Sequence, residues 1–414
     1  MSQCPVRHLT PELLEDPVRG YADLRDRPSL TPVVLPGLTT PVRLVTRYAD
    51  VKEALTEPRL IRDRGRIPGT EGVTDHQDEL TDAFSDLPPE YIAFVNDHLA
   101  LLDAEEHTSR RAPLTRAFTA RWVTALRPFL EERTAQLADD LAAQGEADFL
   151  HDFAYPLATS LICELVGVDA ADRDQVCGWI RDFAYGDGTG VGAALEGIVG
   201  HLKDLIARRR AEGRDDLIST LIRSTDENGS PLTEERLVST VLLLINTGIT
   251  PPALFLAHAV LALFDHPDQL DLLRGRPDLL EGAVAELLRY VSLVRIGATL
   301  YATEDFTFAG TELVRGEAVA VALLGANHDP HEYGEGPEHL DISRRFGRGD
   351  GHLAFGHGPH YCIGAALGRM LTRTVFERML IGRPGLRPAV PRDALEFGHW
   401  PGDGFHLKSL PVRF

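Results

Sequence analysis

A cysteine set among glycines, histidines and an aromatic residue governs the reading of this chain. It lies in Phe355-Gly356-His357-Gly358-Pro359-His360-Tyr361-Cys362-Ile363-Gly364, ahead of the apolar stretch Ala365 to Met370. The glycines before it permit a turn whose backbone N–H groups point inward at the sulfur. The residues after it read as a helix, and the positive end of that helix favours a thiolate. Gly364 lets the backbone pass close to a flat macrocycle. Such a loop suits a sulfur anion held as the axial ligand of haem iron. Two other readings stay open on these residues alone. One is a buried structural cysteine in a turn. The other is a metal held by His357, His360 and Cys362, although H-x-x-H-x-C is not a common zinc spacing.

The remaining cysteines, Cys4, Cys163 and Cys177, are scattered and form no C-x-x-C pair. That spacing argues against a disulfide framework or a cysteine-based zinc site. Cys163, within Leu161-Ile162-Cys163, reads as a buried thiol. With 414 residues, 43% hydrophobic and 25% charged, the chain can bury a large core. Its formal net charge of −20 makes nucleic acid or an anionic membrane an unsuitable general partner. No stretch is read as a membrane span. Met1 to Leu30 is interrupted by Arg7, His8, Glu12, Glu15, Asp16 and Arg19 and carries no signal-type apolar core. A cytoplasmic protein is expected.

Helical spacing of apolar residues recurs at Ala125 to Ala142, Leu157 to Val166, Leu237 to Leu263 and Leu279 to Tyr290. Short strands are expected at Val42 to Val45, Leu300 to Ala302, Phe306 to Phe308 and Ala318 to Ala322. Ile61 to Leu99 reads as a long irregular loop with short helices, and Gly186 to Gly192 as a second weak point. The expectation is a mainly α unit with small β-sheets. No G-x-G-x-x-G opens a nucleotide-binding βαβ unit.

The cysteine segment matches F-G-x-G-x-H-x-C-x-G at every fixed position and so resembles the haem-binding signature of the cytochromes P450. The resemblance implies Cys362 as proximal ligand, with Phe355, Gly356 and Gly364 shaping its loop and His360 on a haem propionate. It also implies haem b, seated between a long distal helix and the proximal cysteine loop. Glu286-Leu287-Leu288-Arg289 is an E-x-x-R whose ends share a helix face. Family likeness places Glu286 and Arg289 in a buried network with Arg344 that braces the fold. His107 and Arg111 sit four apart, on one face of a helix, where two cations suit a pair of carboxylates. The run Asp103 to Thr119 resembles the family's propionate-binding helix. Asp152 to Leu157, Asp215 to Ile218, Ala326 to Pro330 and His352 to Phe355 also look like the small soluble bacterial branch. Likeness over almost the whole chain implies one domain, residues 1–414.

The sequence departs from the family at two places. On the helix Leu237 to Leu263, aligned on Gly248 and His266-Pro267, the usual acid and alcohol fall at Thr250 and Pro251. Pro251 and Pro252 lack N–H groups, so the carbonyls of Thr247 and Gly248 lose their helical donors. Thr250, preceding a proline, is pushed from helical dihedrals, and a kink is expected there. Thr247, Gly248 and Thr250 are the candidate distal oxygen and proton region. The second departure is Leu300, where most members carry a propionate-binding Arg; Arg295 is the candidate substitute.

The resemblance implies a monooxygenase drawing electrons from a ferredoxin and ferredoxin reductase, acting on a small molecule in a secondary-metabolite pathway. Oxidative C–C or C–O coupling, or peroxide-driven turnover, is the alternative that Pro251 raises. A silent haem scaffold is the least favoured. Arg110, Arg111, Arg116 and Arg121, with Arg369 and Arg373, would offer an acidic ferredoxin a positive face. Candidate pocket residues are Leu244, Val294, Ile296, Gly297, Trp400 and Phe405, with the Ile61 to Leu99 loop.

Overall fold

The computed structural model describes residues 6–10, 17–26, 30–70, 78–79, 87, 91–92, 94, 99–185, 190–226, 229–347, 351–400 and 404–414. Most of the Ile61 to Leu99 loop, Cys4 and part of Gly186 to Gly192 therefore lie outside the described residues. Helices follow in chain order. They are α1 Pro17–Arg25, α2 Tyr48–Ala54, α3 Ala104–Ala117, α4 Ala120–Ala125, α5 Arg127–Gln144, α6 Tyr155–Val166, α7 Arg173–Tyr185 and α8 Val191–Glu212. Then come α9 Leu217–Ile222, α10 Glu234–Asp265, α11 Pro267–Gly275, α12 Leu280–Val291, α13 Leu323–Asn327, α14 Pro330–Tyr333 and α15 Ala365–Val375. Strands are β1 Arg7–His8, β2 Leu30–Val34, β3 Pro41–Val45, β4 Leu60–Ile61, β5 Glu146–Asp148, β6 Leu300–Ala302 and β7 Phe306–Phe308. The rest are β8 Thr311–Leu313, β9 Ala318–Val321, β10 Arg387–Pro388, β11 Phe397–Trp400, β12 Gly404–Leu407 and β13 Pro411–Arg413. The fold is mainly α with small sheets.

Two compact units emerge: Met1–Ser85 with Ala262–Cys362 and Glu396–Lys408, and Asp86–Leu261 with Ile363–Leu395 and Ser409–Phe414. The first is built on a six-stranded sheet ordered β1-β2-β3-β9-β6-β4. Alternation along its central strands covers both faces, as a period of two residues requires. Val42 and Leu44 of β3 and Ala320 of β9 face one apolar cluster with Tyr21 and Leu24. Val45, Val319 and Val321 face another with Val51, Phe306, Phe308 and Leu353. Leu353 brings the approach to the cysteine loop into this core.

The second unit is helical apart from a three-stranded sheet ordered β10-β13-β5. Asp148 holds that sheet to α6's lead-in turn: its carboxylate accepts from Leu150 N at 2.8 Å, Leu410 N at 3.1 Å and Ser409 Oγ at 2.6 Å. Helix α10 corrects two expectations. It is long and apolar enough, by length and composition, to cross a membrane, which the sequence reading did not allow for. Its apolar window is 61% buried, as befits a core helix that is hydrophobic all round. It also runs unbroken through Pro251 and Pro252 rather than releasing Thr250. Ile249 and Ala253 at 0% exposure and Thr250 at 3% bury this turn, where two backbone hydrogen bonds are lost.

Candidate active site

The cysteine loop is shaped by its glycines. Gly356 and Gly358 both take φ of 71°, a left-handed conformation that side chains disfavour. The turn closes through Gly356 N to Leu353 O at 2.9 Å, Tyr361 N to Gly358 O at 3.0 Å and Cys362 N to Phe355 O at 2.9 Å. Phe355 and Tyr361 meet edge to face at 6.3 Å. A Cβ on Gly358 would lie 2.7 Å from Thr56 Cγ2 and 2.9 Å from Leu55 O at the end of α2. Gly358→Ala is therefore expected to cost about 1–3 kcal/mol through strain and crowding. Thermal unfolding of the haem-loaded protein checks this, and an unchanged midpoint would mean the loop has another way to turn.

Cys362 is exposed and His360 is half-buried. Among the described residues no three His, Cys, Asp or Glu side chains gather as a metal cage. Cys163 contrasts with Cys362: at 0% exposure, burial pushes its thiol up to about 12, which keeps it protonated and inert.

Behind the loop lies a buried polar network. Arg289 Nε and Nη2 donate to Glu286 at 2.8 Å each, with both side chains fully buried. Arg289 Nη1 reaches Asn327 O at 2.7 Å and Pro337 O at 2.8 Å. Arg344 Nε donates to Glu286 at 3.2 Å. The network then runs toward the cysteine through residues that sequence reasoning missed as site elements. Asn327 Nδ2 donates to Ser292 Oγ at 2.6 Å, and Ser292 Oγ donates to Arg289 O at 2.8 Å. Leu353 N donates to Asn327 Oδ1 at 2.7 Å, and the Tyr333 hydroxyl donates to Gly351 O at 2.9 Å. Thus the ion pair, one amide and one phenol grip the two residues that lead into the loop. Asn327 did appear in a stretch that resembled the family, but nothing in its spacing marked this role.

In the helical unit, His107 on α3 is 2% exposed and Arg111 is half-buried. Thr247 is exposed, its hydroxyl donating to Leu243 O at 2.7 Å. A Cβ on Gly248 would lie 2.6 Å from Ile162 Cδ1 of α6, so this glycine permits a close helix crossing. Leu244 is 5% exposed, inside the helical core.

In the sheet unit, Val294 is 42% exposed, Ile296 bridges Ala322, and Gly297 N donates to Val321 O at 2.8 Å. Leu300 is 4% exposed and paired with Val319 in the sheet. Arg295 is half-buried, its carbonyl accepting from Leu324 N at 3.1 Å. The side chains of Trp400 and Phe405 lie outside the described residues.

The donor set fits haem: a thiol on a glycine-turned loop, a histidine two residues before it, and a helix beginning at Ala365. The comparisons agree. Residues 191–381 match the family model described as Cytochrome P450. Cytochrome P450 107B1 of Saccharopolyspora erythraea is 37% identical over 402 residues, covering 96% of this chain and 95% of that protein. Cytochrome P450 monooxygenase PikC of Streptomyces venezuelae is 33% identical over 405 residues, covering 96% and 91%. The solved structure of the Bacillus subtilis bacillaene polyketide synthase cytochrome P450 PksS superposes with a TM-score of 0.84 at 31% identity, covering 97% of each chain. The chain belongs to the cytochrome P450 family and is a haem-thiolate monooxygenase.

Proposed function

We propose that the chain acts as one functional domain that inserts an oxygen atom into a small hydrophobic molecule of a secondary-metabolite pathway. The observation that carries this is the exposed Cys362 thiol on a loop tied to the Glu286–Arg289 network. PksS, named for a polyketide synthase, and the monooxygenase PikC support a tailoring role. Haem b, when bound, supplies a redox iron at which dioxygen is activated. Cys362 would supply the thiolate that ligates its iron. His107, Arg111 and His360 would hold the propionates, and Phe355, Gly356 and Gly364 would shape the loop that carries the sulfur. Leu244, Val294, Ile296 and Gly297 belong to the pocket, with Trp400 and Phe405. At Thr247 and Gly248, carbonyls without helical donors, with Thr250 beside them, would hold the water that carries protons inward. A cytoplasmic location accords with the bacterial relatives.

The test is turnover under labelled dioxygen, with candidate polyketide-like substrates, a ferredoxin, its reductase and NADPH. One labelled oxygen atom per product is expected. A product free of label would instead favour oxidative coupling, the reading that Pro251 raises.

Electrons come from a ferredoxin in this proposal. Arg110, Arg111, Arg116, Arg121, Arg369 and Arg373 lie on α3, α4 and α15 of the helical unit; Arg116 and Arg121 are exposed, the other four are half-buried, and Arg110 pairs with Glu106 at 2.7 Å. Affinity for an acidic ferredoxin is expected to fall about tenfold between low and high salt, because the charges of Arg116 and Arg121 are screened. Binding by calorimetry at two ionic strengths measures it, and a salt-independent affinity would remove the docking face.

A further inference from the structure

A cleft opens in the helical unit where α3, the turn after α9 and the first turns of α10 meet. Arg110 lines it from α3, Thr225 from the turn, and Arg236 and Thr240 from α10. Pro113 and Leu221, both buried, make part of its wall apolar. Arg236 is half-buried, yet among the described residues its guanidinium has no carboxylate or hydrogen-bond partner. The hydroxyls of Thr225 and Thr240 likewise have none among the described residues. Other arginines of the same unit are satisfied: Arg173 holds Glu164 at 2.6 Å and Arg209 holds Asp216 at 2.7 Å. Arg110 keeps Nη2 on Glu106 at 2.7 Å and still brings its charge to the cleft. Asp226 also lines the cleft, but its carboxylate serves its own turn, accepting from Ser230 N at 2.8 Å. The lining therefore sets two positive charges against one negative, on a chain of net charge −20. Its space is about 370 Å³ with the solvent at the mouth included, the low end for a ligand cleft. That suits a small ion or a charged head group.

We propose that this cleft binds a phosphate group, held by Arg236 and Arg110 together with the hydroxyls of Thr225 and Thr240. A guanidinium presents a planar fork of donors, and each threonine adds one more. A phosphate group offers strong acceptor oxygens on several sides and can use both kinds at once. A carboxylate, with two oxygens in one plane, would leave some of these donors open. The bound group supplies the acceptors that the fold withholds from Arg236, Thr225 and Thr240, and the apolar wall strengthens each charged hydrogen bond. Because its partners come from α3, α10 and the turn between α9 and α10, the ligand fastens these elements to one another. Inorganic phosphate and the ester phosphate of a small metabolite share this chemistry. No bond is made or broken, and the site stands whatever substrate the enzyme oxidises.

The experiment titrates the haem-loaded protein with inorganic phosphate in a calorimeter, with sodium chloride keeping the ionic strength constant. One saturable site is expected, with a Kd of about 1 mM, the strength of a few charge-assisted hydrogen bonds in an open cleft. Arg236→Gln is expected to weaken binding at least about tenfold. Thr240→Val, which removes a donor and no charge, should weaken it about threefold to fivefold. Saturating phosphate should raise the thermal midpoint of the wild type by about 2 °C and leave that of Arg236→Gln unmoved. The carbon monoxide difference spectra of both variants should match the wild type, which shows that they are folded. A parallel titration with glycerol 3-phosphate separates the two sources. An equal or tighter Kd assigns the cleft to a phosphate ester, and a weaker one assigns it to the free ion. No saturable binding at constant ionic strength would overturn the proposal. So would an unchanged Kd in Arg236→Gln, because the ion would then sit elsewhere.

Discussion

Cys362→Ser is expected to abolish the strongly red-shifted Soret band of the ferrous carbon monoxide complex and to lower oxygen insertion by roughly a thousandfold or more. The argument begins with acidity. A serine hydroxyl does not ionise near neutral pH, whereas a thiol at the head of a helix and inside a glycine turn is readily held as thiolate. The loop itself should survive, because its closing bonds are backbone to backbone, including Cys362 N to Phe355 O at 2.9 Å. The loss would therefore be one of electron donation to iron and not of folding. Difference spectroscopy on haem-loaded wild type and variant measures it. A band that persisted in the variant would mean that another residue ligates the iron.

The second large effect is on stability. Arg289→Ala is expected to destabilise the protein by about 3–5 kcal/mol, because it leaves the Glu286 carboxylate buried without its main partner. The same change strips donors from the carbonyls of Asn327 and Pro337. Against a total of about 5–15 kcal/mol for a folded protein, such a loss leaves little soluble product. Arg344, 3.2 Å from Glu286, offers partial compensation, so the effect should fall short of complete unfolding. Glu286→Gln retains an acceptor and should cost less than Arg289→Ala. Denaturant midpoints and haem retention, read together, rank the two. A cost near zero for Arg289→Ala would show that the network is not needed to hold the fold.

Elements whose physics is local were readable from the residues. Four of the helices and four of the strands announced themselves by apolar period, and the observed spans Arg127–Gln144, Tyr155–Val166 and Leu280–Val291 differ from expectation by a residue or two, whereas Val191–Glu212 was not read from its period. The cysteine loop was legible because glycine, proline and histidine leave little freedom around one sulfur. The grip on that loop was not. Asn327 is 26 residues from Leu353 and 35 from Ser292, and an isolated amide or hydroxyl has no periodicity to betray it. Gly248 served in the sequence only as an alignment mark, while its packing reason, Ile162, lies on another helix. Two-residue strands such as β1 and β4 were missed because so short a segment carries no alternation to read.

The three-stranded sheet carries a consequence for how the chain comes together in time. Its central strand β13 pairs with β5 from Pro411 to Arg413, and Leu410 meets Asp148 across 262 residues. A ribosome has therefore released β5 and the helices behind it long before their neighbour exists. Such delayed closure predisposes a nascent chain to slow maturation and to capture by chaperones. Clipping the last few residues should thus reduce yield from the cell far more than it alters the chemistry of whatever molecules do mature.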